Sequence, residues 1–259
     1  MHSKPNDKIV NIEKAISMIT KAASQGAKLI ALPELWISGY YLSRKEFEVF
    51  GEMLEGKTIS LFRKIAKELN VVLIVPFVEI EIESDELFIS TVVIENTGDL
   101  LSSYRKSFLW GREKEIFARG ERDYNVVSTS LGKLGILICA DVEFPEPSRL
   151  LALKGAQLII CPSVWSIPAE SRWDIQLPAR ALDNTVYILG VNTVNEGSCG
   201  KSKLVAPDGR VLIESPRDQE HILIYNLELS LIDEIRIDLP YLNDLDKDLI
   251  PDKNIQIRV

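Results

Sequence analysis

The chain has 259 residues, 46% of them hydrophobic and 26% charged, with only 14 glycines and 12 prolines, which excludes a disordered, fibrous or collagenous protein. Its formal net charge of −8 argues against a nucleic-acid surface, because phosphate binding needs clustered Lys and Arg and here they are scattered among more numerous carboxylates. No apolar run reaches the roughly 18 to 20 residues that span a bilayer, and the opening MHSKPNDK lacks the apolar core of a signal peptide, so a soluble, cytoplasmic protein with a small-molecule or protein partner is expected.

Asn6 or Asp7 is placed to cap a first helix, whose apolar residues Ile9, Ile12, Ile16, Ile19 and Ala23 recur at three and four and which stops at Gly26. A strand over AKLIALP follows, then helices over Arg44 to Leu54 and Thr58 to Leu69, then the continuous apolar strand VVLIVPFV. From Leu87 to Ile138 the pattern is mainly strand: LFISTVVIE, a turn at Asn96 to Asp99, LLSSYRK, VVSTS and KLGILIC. Helix returns in EPSRLLALKG, with Pro147 in its first turn and Gly155 beyond its last. The strand QLIICPS, a helix over Trp173 to Asp183 and the strand TVYILGVN make a second αβαβ stretch. Strands KLVAP, RVLIE and HILIYNLE then lead to a short helix and an irregular, acidic C-terminus. Alternating helix and buried strand, with no repeat and no low-complexity linker, predicts one α/β domain over 1–259, its helices covering the faces of a mixed sheet.

Three cysteines, Cys139, Cys161 and Cys199, form no CxxC pair and leave an odd one out of any disulfide scheme, as expected of reduced thiols. With only His2 and His221, no His/Cys metal pattern exists, and a structural metal is not expected. GKS at Gly200 to Ser202 is no phosphate loop: the earlier glycine would fall at Asn195, and a strand follows where a helix is needed.

Two apolar strands end on a reactive type of residue: LIALPE delivers Glu34, and GILIC delivers Cys139. Ligands in α/β folds gather beyond the carboxyl ends of strands, so one crevice can receive both. A free cysteine at such a place is more often a small buried hydrophobe than a nucleophile. The stretch YRKSFLWGREKEIFARG puts Lys106 at a third strand end and Glu113 shortly after. Its ordinary reading is a solvated charged loop, but Phe108, Leu109, Trp110, Ile116 and Phe117 interleave with the charges and carry the loop inward.

Taken in order, ALPELWISGY, YRKSFLWGREKEIFARG and GILICADVEFPEPSRLLALKGAQLIICPSVW resemble the three signature blocks of the nitrilase superfamily of carbon–nitrogen hydrolases. ARALDNTVYILGVN and GKSKLVAPDGRVL extend the likeness over nearly the whole chain. The resemblance implies a four-layer α-β-β-α sandwich, paired through helices into at least a homodimer. It also implies Glu34 as general base, Lys106 as cationic stabiliser, Cys139 as nucleophile and Glu113 as a second, substrate-positioning glutamate. The backbone N–H of Ala140 would serve the oxyanion, and Trp165 would line the substrate pocket. Such a site suits a histidine-poor chain. Proton transfer from a free thiol to a free glutamate is uphill by about four pKa units, roughly 6 kcal/mol. Burial of the carboxylate and an ammonium beside the thiol are expected to narrow that gap from both sides.

The implied reaction, which needs no metal or organic cofactor, is hydrolysis of a small linear amide or carbamoyl compound through a cysteine thioester, with release of ammonia or an amine. A nitrile hydrolase and a catalytically silent binding protein on the same fold are the alternatives. Acid–base work by Glu34 and Glu113 alone, as in a glycosidase, is a third. Two departures from the family pattern bear on this. Members usually begin with a strand before the first helix, whereas this chain begins at the helix, so that strand is expected to be missing or to lie upstream. After the nucleophile come Ala140, whose small side chain widens the pocket, and Glu143, which either attracts an amine-bearing substrate or is solvated at the rim.

Overall fold

The computed structural model describes residues 1–195 and 197–246. The N-terminal half builds a four-stranded sheet in the order β1-β2-β3-β4, from β1 (Leu29–Ala31), β2 (Val72–Glu81), β3 (Glu86–Ile94) and β4 (Leu100–Arg105). A six-stranded sheet in the order β12-β11-β8-β7-β6-β5 uses β5 (Val126–Thr129), β6 (Gly132–Ile136), β7 (Leu158–Ser163), β8 (Tyr187–Asn192), β11 (Lys203–Val205) and β12 (Val211–Glu214). The short pair β9 (Val194–Asn195) and β10 (Ser198–Cys199) stands apart. Pairing is parallel for β1–β2, β6–β7 and β7–β8 and antiparallel elsewhere, so both large sheets are mixed, as the strand-rich middle predicts.

Helices α1 (Lys8–Ser24), α2 (Arg44–Phe50) and α3 (Lys57–Leu69) belong to the first sheet, while α5 (Pro145–Leu153) and α6 (Glu170–Asn184) pack together on the second. The single turn α4 (Glu113–Ile116) lies in the loop after β4, and α7 (Ser230–Asp238) and α8 (Tyr241–Asp244) follow β12. The layers are therefore helix, sheet, sheet, helix. The longest helix has 17 residues, and among the described residues none is long and apolar enough to cross a membrane.

Local chemistry sets the ends of these elements. Asp7, not Asn6, caps α1 by accepting from the Val10 N–H at 3.2 Å, and Ser43 with Glu46 forms a reciprocal capping box on α2. Asn70 closes α3 in the left-handed conformation, which asparagine tolerates. Ile59, Phe62, Ile65 and Ala66 on the inner face of α3 and most of β2 and β3 are buried in one continuous core with Trp36, Trp173 and Tyr187. Each such aliphatic or aromatic side chain contributes about 1.5 to 3 kcal/mol relative to an exposed one. Gly190 of β8 is required by this packing: a Cβ there would lie 2.5 Å from Leu177 and 2.6 Å from Trp173, both on α6.

As the sequence leads one to expect, among the described residues no strand precedes α1. Met1 is instead buried, with its carbonyl accepting from the Val194 N–H at 3.2 Å. HILIYNLE forms no strand either. That segment is the expectation that changes: residues 221–224 line, together with Leu29, Ile30 and Ala31 of β1, an apolar groove of about 130 Å³ that includes Met18, Ile19 and Leu189. The irregular C-terminus, beyond Asp246, lies outside the described residues.

Candidate active site

Three strand ends carry the side chains inward. Beyond β1, the Leu32 N–H still bonds the Ile74 carbonyl (3.1 Å), and the chain then turns sharply, with Leu35 at a φ of 48°, just after Glu34. Beyond β4, the Lys106 N–H bonds Ile89 O at 2.8 Å and so prolongs the ladder by one residue. Beyond β6, the Leu137 N–H bonds Ile160 O at 3.0 Å, and the chain enters a 3₁₀ turn over Cys139–Glu143. Cys139 itself has a φ of 46°, a left-handed conformation that costs a non-glycine residue on the order of 1 to 3 kcal/mol. The surroundings over-determine it. The Asp141 carboxylate accepts the Ile138 N–H at 2.9 Å, and Arg180 of α6 donates to the carbonyls of Val142 (3.1 Å) and Glu143 (3.0 Å).

The Lys106 ammonium lies at the centre, 2.7 Å from Glu34 Oε1 and 2.9 Å from Glu113 Oε1, with all three residues essentially excluded from solvent. Glu113 also accepts from the Trp110 N–H (2.9 Å) and from the Tyr40 hydroxyl (3.0 Å). Val164, one residue beyond β7, joins two of the groups: its N–H donates to Glu34 Oε2 at 2.8 Å, and its carbonyl lies 3.9 Å from Cys139 Sγ. Cys139, Ala140, Glu143 and Trp165 share the wall of one cavity of about 240 Å³. Trp165 is fixed by its indole N–H to Ala169 O at 2.8 Å and by its backbone N–H to Asn192 Oδ1 at 2.7 Å.

Two buried carboxyl groups share one ammonium in this cluster. Burial alone would lower the pKa of Lys106, but the charges of Glu113 and Glu34 outweigh it and hold the ammonium well above its ordinary value. Burial raises Glu34, as expected, with Lys106 offsetting part of the effect. The thiol departs from expectation. Burial first and the Glu34 carboxylate second push Cys139 well above the ordinary thiol range, against a weaker pull from Lys106, whose charge its two carboxylates already balance. The shift of Glu34 therefore narrows the proton gap, while that of the Cys139 thiol widens it. Because only its thiolate reacts with iodoacetamide, the alkylation rate is expected to climb with pH from 7 to beyond 9, past the free-thiol value of about 8.5. Rate constants across that range check it, and a plateau below pH 8 would contradict it.

Glu143, on the wall of the same cavity, is ion-paired. Arg172 of α6 pairs with it at 2.5 Å, and the same guanidinium lies 4.9 Å from the ring centre of Trp110 and 5.9 Å from that of Trp165. Cys161 is fully buried, its Sγ 3.9 Å from the Cys139 carbonyl oxygen and its pKa pushed up to about 12 by burial, and Cys199 is buried beside Asn192. All three cysteines are unpaired. Sequence reasoning missed Val164, Tyr40, Arg172 and Asp141. Tyr40 and Asp141 stand inside the signature blocks quoted above, whereas Val164 acts through its backbone and Arg172 through a contact between distant segments.

A fold with these elements, and charges gathered at the carboxyl ends of its strands, is that of a hydrolytic enzyme of the nitrilase superfamily. A sequence model of the carbon-nitrogen hydrolase family matches residues 1–237, and the chain belongs to that family. It is similar to a protein named nitrilase from Pyrococcus abyssi, at 34% identity over 92% of this chain and 90% of the other. It also resembles the chloroplastic omega-amidase of Arabidopsis thaliana, at 30% identity over 92% of this chain and 69% of the other. Among solved structures, a mutant of the amidase from Nesterenkonia sp. AN1 superposes with a TM-score of 0.81 at 28% identity, covering 96% of this chain and 92% of that one. That structure shows covalent addition of the acetamide moiety of fluoroacetamide at the active-site cysteine.

Proposed function

We propose that this carbon–nitrogen hydrolase is an amidase that cleaves small linear amides or carbamoyl compounds through a thioester on Cys139. The carrying observation is the convergence of Glu34, Lys106 and Glu113 in one buried cluster, joined through Val164 to the cysteine at the base of the cavity. In this reading Glu34 takes the thiol proton as sulfur attacks the amide carbon, then delivers it to the departing nitrogen. Ammonia or an amine leaves, and Glu34 next activates the water that hydrolyses the thioester. The Lys106 ammonium and the Ala140 N–H meet the oxyanion. Glu113 steadies Lys106 and the substrate nitrogen, while Trp165 and the Glu143–Arg172 pair form the substrate-facing wall. The amidase and omega-amidase among the similar proteins support the amide reading, and the protein named nitrilase keeps nitriles as the alternative substrate class.

The same reading has one domain working as a homodimer or higher assembly in a reducing, cytoplasmic compartment. The three unpaired cysteines support the compartment. Arg149 Nη1 on α5 and Gln176 Oε1 on α6 are buried without a hydrogen-bond partner, and Ile175 of α6 is 66% exposed, which supports an assembly through these helices. The test is ammonia release from a panel of short primary amides, dicarboxylic acid monoamides and carbamoyl compounds. Turnover of at least one class is expected, and a protein that releases none from any member contradicts the proposal.

A further inference from the structure

Asp141 is fully buried, yet it touches neither the cavity nor the Glu34–Lys106–Glu113 cluster by any hydrogen bond. Its carboxylate has five donors around it. Oδ1 accepts from the N–H groups of Ser107 (3.2 Å) and Phe108 (2.8 Å) and from the Ser107 hydroxyl (3.0 Å). Oδ2 accepts from the Ile138 N–H (2.9 Å) and the Tyr104 hydroxyl (2.7 Å). The three backbone donors are the informative ones. Ser107 and Phe108 directly follow Lys106, and Ile138 directly precedes Cys139, so a single carboxylate spans the two segments that present the ammonium and the thiol.

We propose that Asp141 is a positioning residue that holds the Lys106 loop and the Cys139 turn as one rigid piece. No hydrogen-bonded ladder joins these segments directly: β4 lies at the edge of the first sheet and β6 inside the second. A backbone N–H can only donate, so three of them converging on one side chain require acceptors at both of its oxygens. Asparagine has the same shape but one oxygen. It can serve the Lys106 loop or the Cys139 turn, and on the other side its amide N–H₂ would face a buried N–H. D141N therefore uncouples the two segments at nearly constant volume, and a displacement of about 1 Å between reacting groups is worth on the order of 10²-fold in rate.

The inference rests on the thiol reading given above, and its test has one arm that needs no substrate. For D141N, measured at a temperature where circular dichroism shows it folded, kcat is expected to fall about 10²-fold with KM within about twofold. Alkylation of Cys139 by iodoacetamide at pH 8 should be slower than in the parent, with its pH profile displaced upward as the ammonium loses its fixed place. The Y104F/S107A double variant removes only the two hydroxyl donors and is expected to stay within about threefold of the parent in both assays. Parental kcat and alkylation in D141N, or an equal loss in the double variant, would overturn the proposal. If D141N does not fold, amide exchange in the parent decides. Common protection of Ile138, Ser107 and Phe108 supports the bridge, and independent exchange of Ile138 refutes it. A parent that alkylates normally but hydrolyses no amide would instead refute the amidase reading and leave the Asp141 question to the alkylation and exchange arms.

Discussion

Replacing Cys139 with alanine is expected to lower kcat by about 10⁴-fold or more while leaving the fold intact. The expectation follows from the division of labour in the site. Glu34 and Lys106 can move a proton and balance charge, but neither supplies an electron pair to carbon while locked in their mutual ion pair of 2.7 Å. Losing one sulfur atom from a position that borders a cavity costs little packing, about 1 kcal/mol, so the thermal midpoint should move by only a few degrees. Initial rates over the amide panel, with circular dichroism on the same samples, check both parts. A C139A protein that keeps parental turnover would point to direct hydrolysis by carboxylates, the glycosidase-like alternative.

The K106M variant is expected to lose both activity and stability. Lys106 is the hydrogen-bonding counterion of Glu34 and Glu113, and all three side chains are buried. Deleting one partner of a buried ion pair typically costs about 3 to 5 kcal/mol, because the remaining charge stays desolvated. The pH dependence has a definite sign. Glu34 is already raised by burial with Lys106 present, and without the ammonium it rises further. A carboxylate whose folded pKa lies above its unfolded value contributes stability that is complete below the unfolded pKa, about 4.3 for glutamate, and is lost as pH rises through the folded value. The stability deficit of K106M should therefore be greatest near neutrality and shrink as pH falls toward about 5. Urea unfolding of parent and variant at a series of pH values measures it, and a deficit independent of pH would contradict the account.

Most of the architecture is legible in the residues because the hydrophobic periods are strong. LFISTVVIE and QLIICPS contain β3 and β7 almost entire, VVLIVPFV stops three residues short of the end of β2, and the helices of SLFRKIAKEL and RLLAL fall where expected. HILIYNLE misleads for a physical reason: its apolar run satisfies strand propensity, but residues 221–224 use their side chains to line a groove and pair with no strand among the described residues. The three strand-end residues of the site are equally legible, since Glu34 and Cys139 each close an apolar run, Lys106 ends a third strand, and each lies in an ordered signature block. The thiol's pKa was not. An ammonium near a cysteine lowers its pKa only if that positive charge is uncompensated, and whether Glu34 and Glu113 both reach Lys106 depends on the three-dimensional placement of segments 72 and 7 residues apart. The pairing of Glu143 with Arg172 on α6, 29 residues along, was hidden in the same way.

The central claim is that the acyl group passes through Cys139 sulfur. The measurement that tests it most directly is acid quenching of the wild-type protein during turnover of an amide that it hydrolyses, followed by mass spectrometry of the peptide carrying Cys139, with hydroxylamine added to a parallel reaction. The account predicts a mass increase equal to the acyl group on that peptide alone, and diversion of product to the hydroxamate. Steady ammonia release with an unmodified Cys139 peptide and no hydroxamate would contradict it.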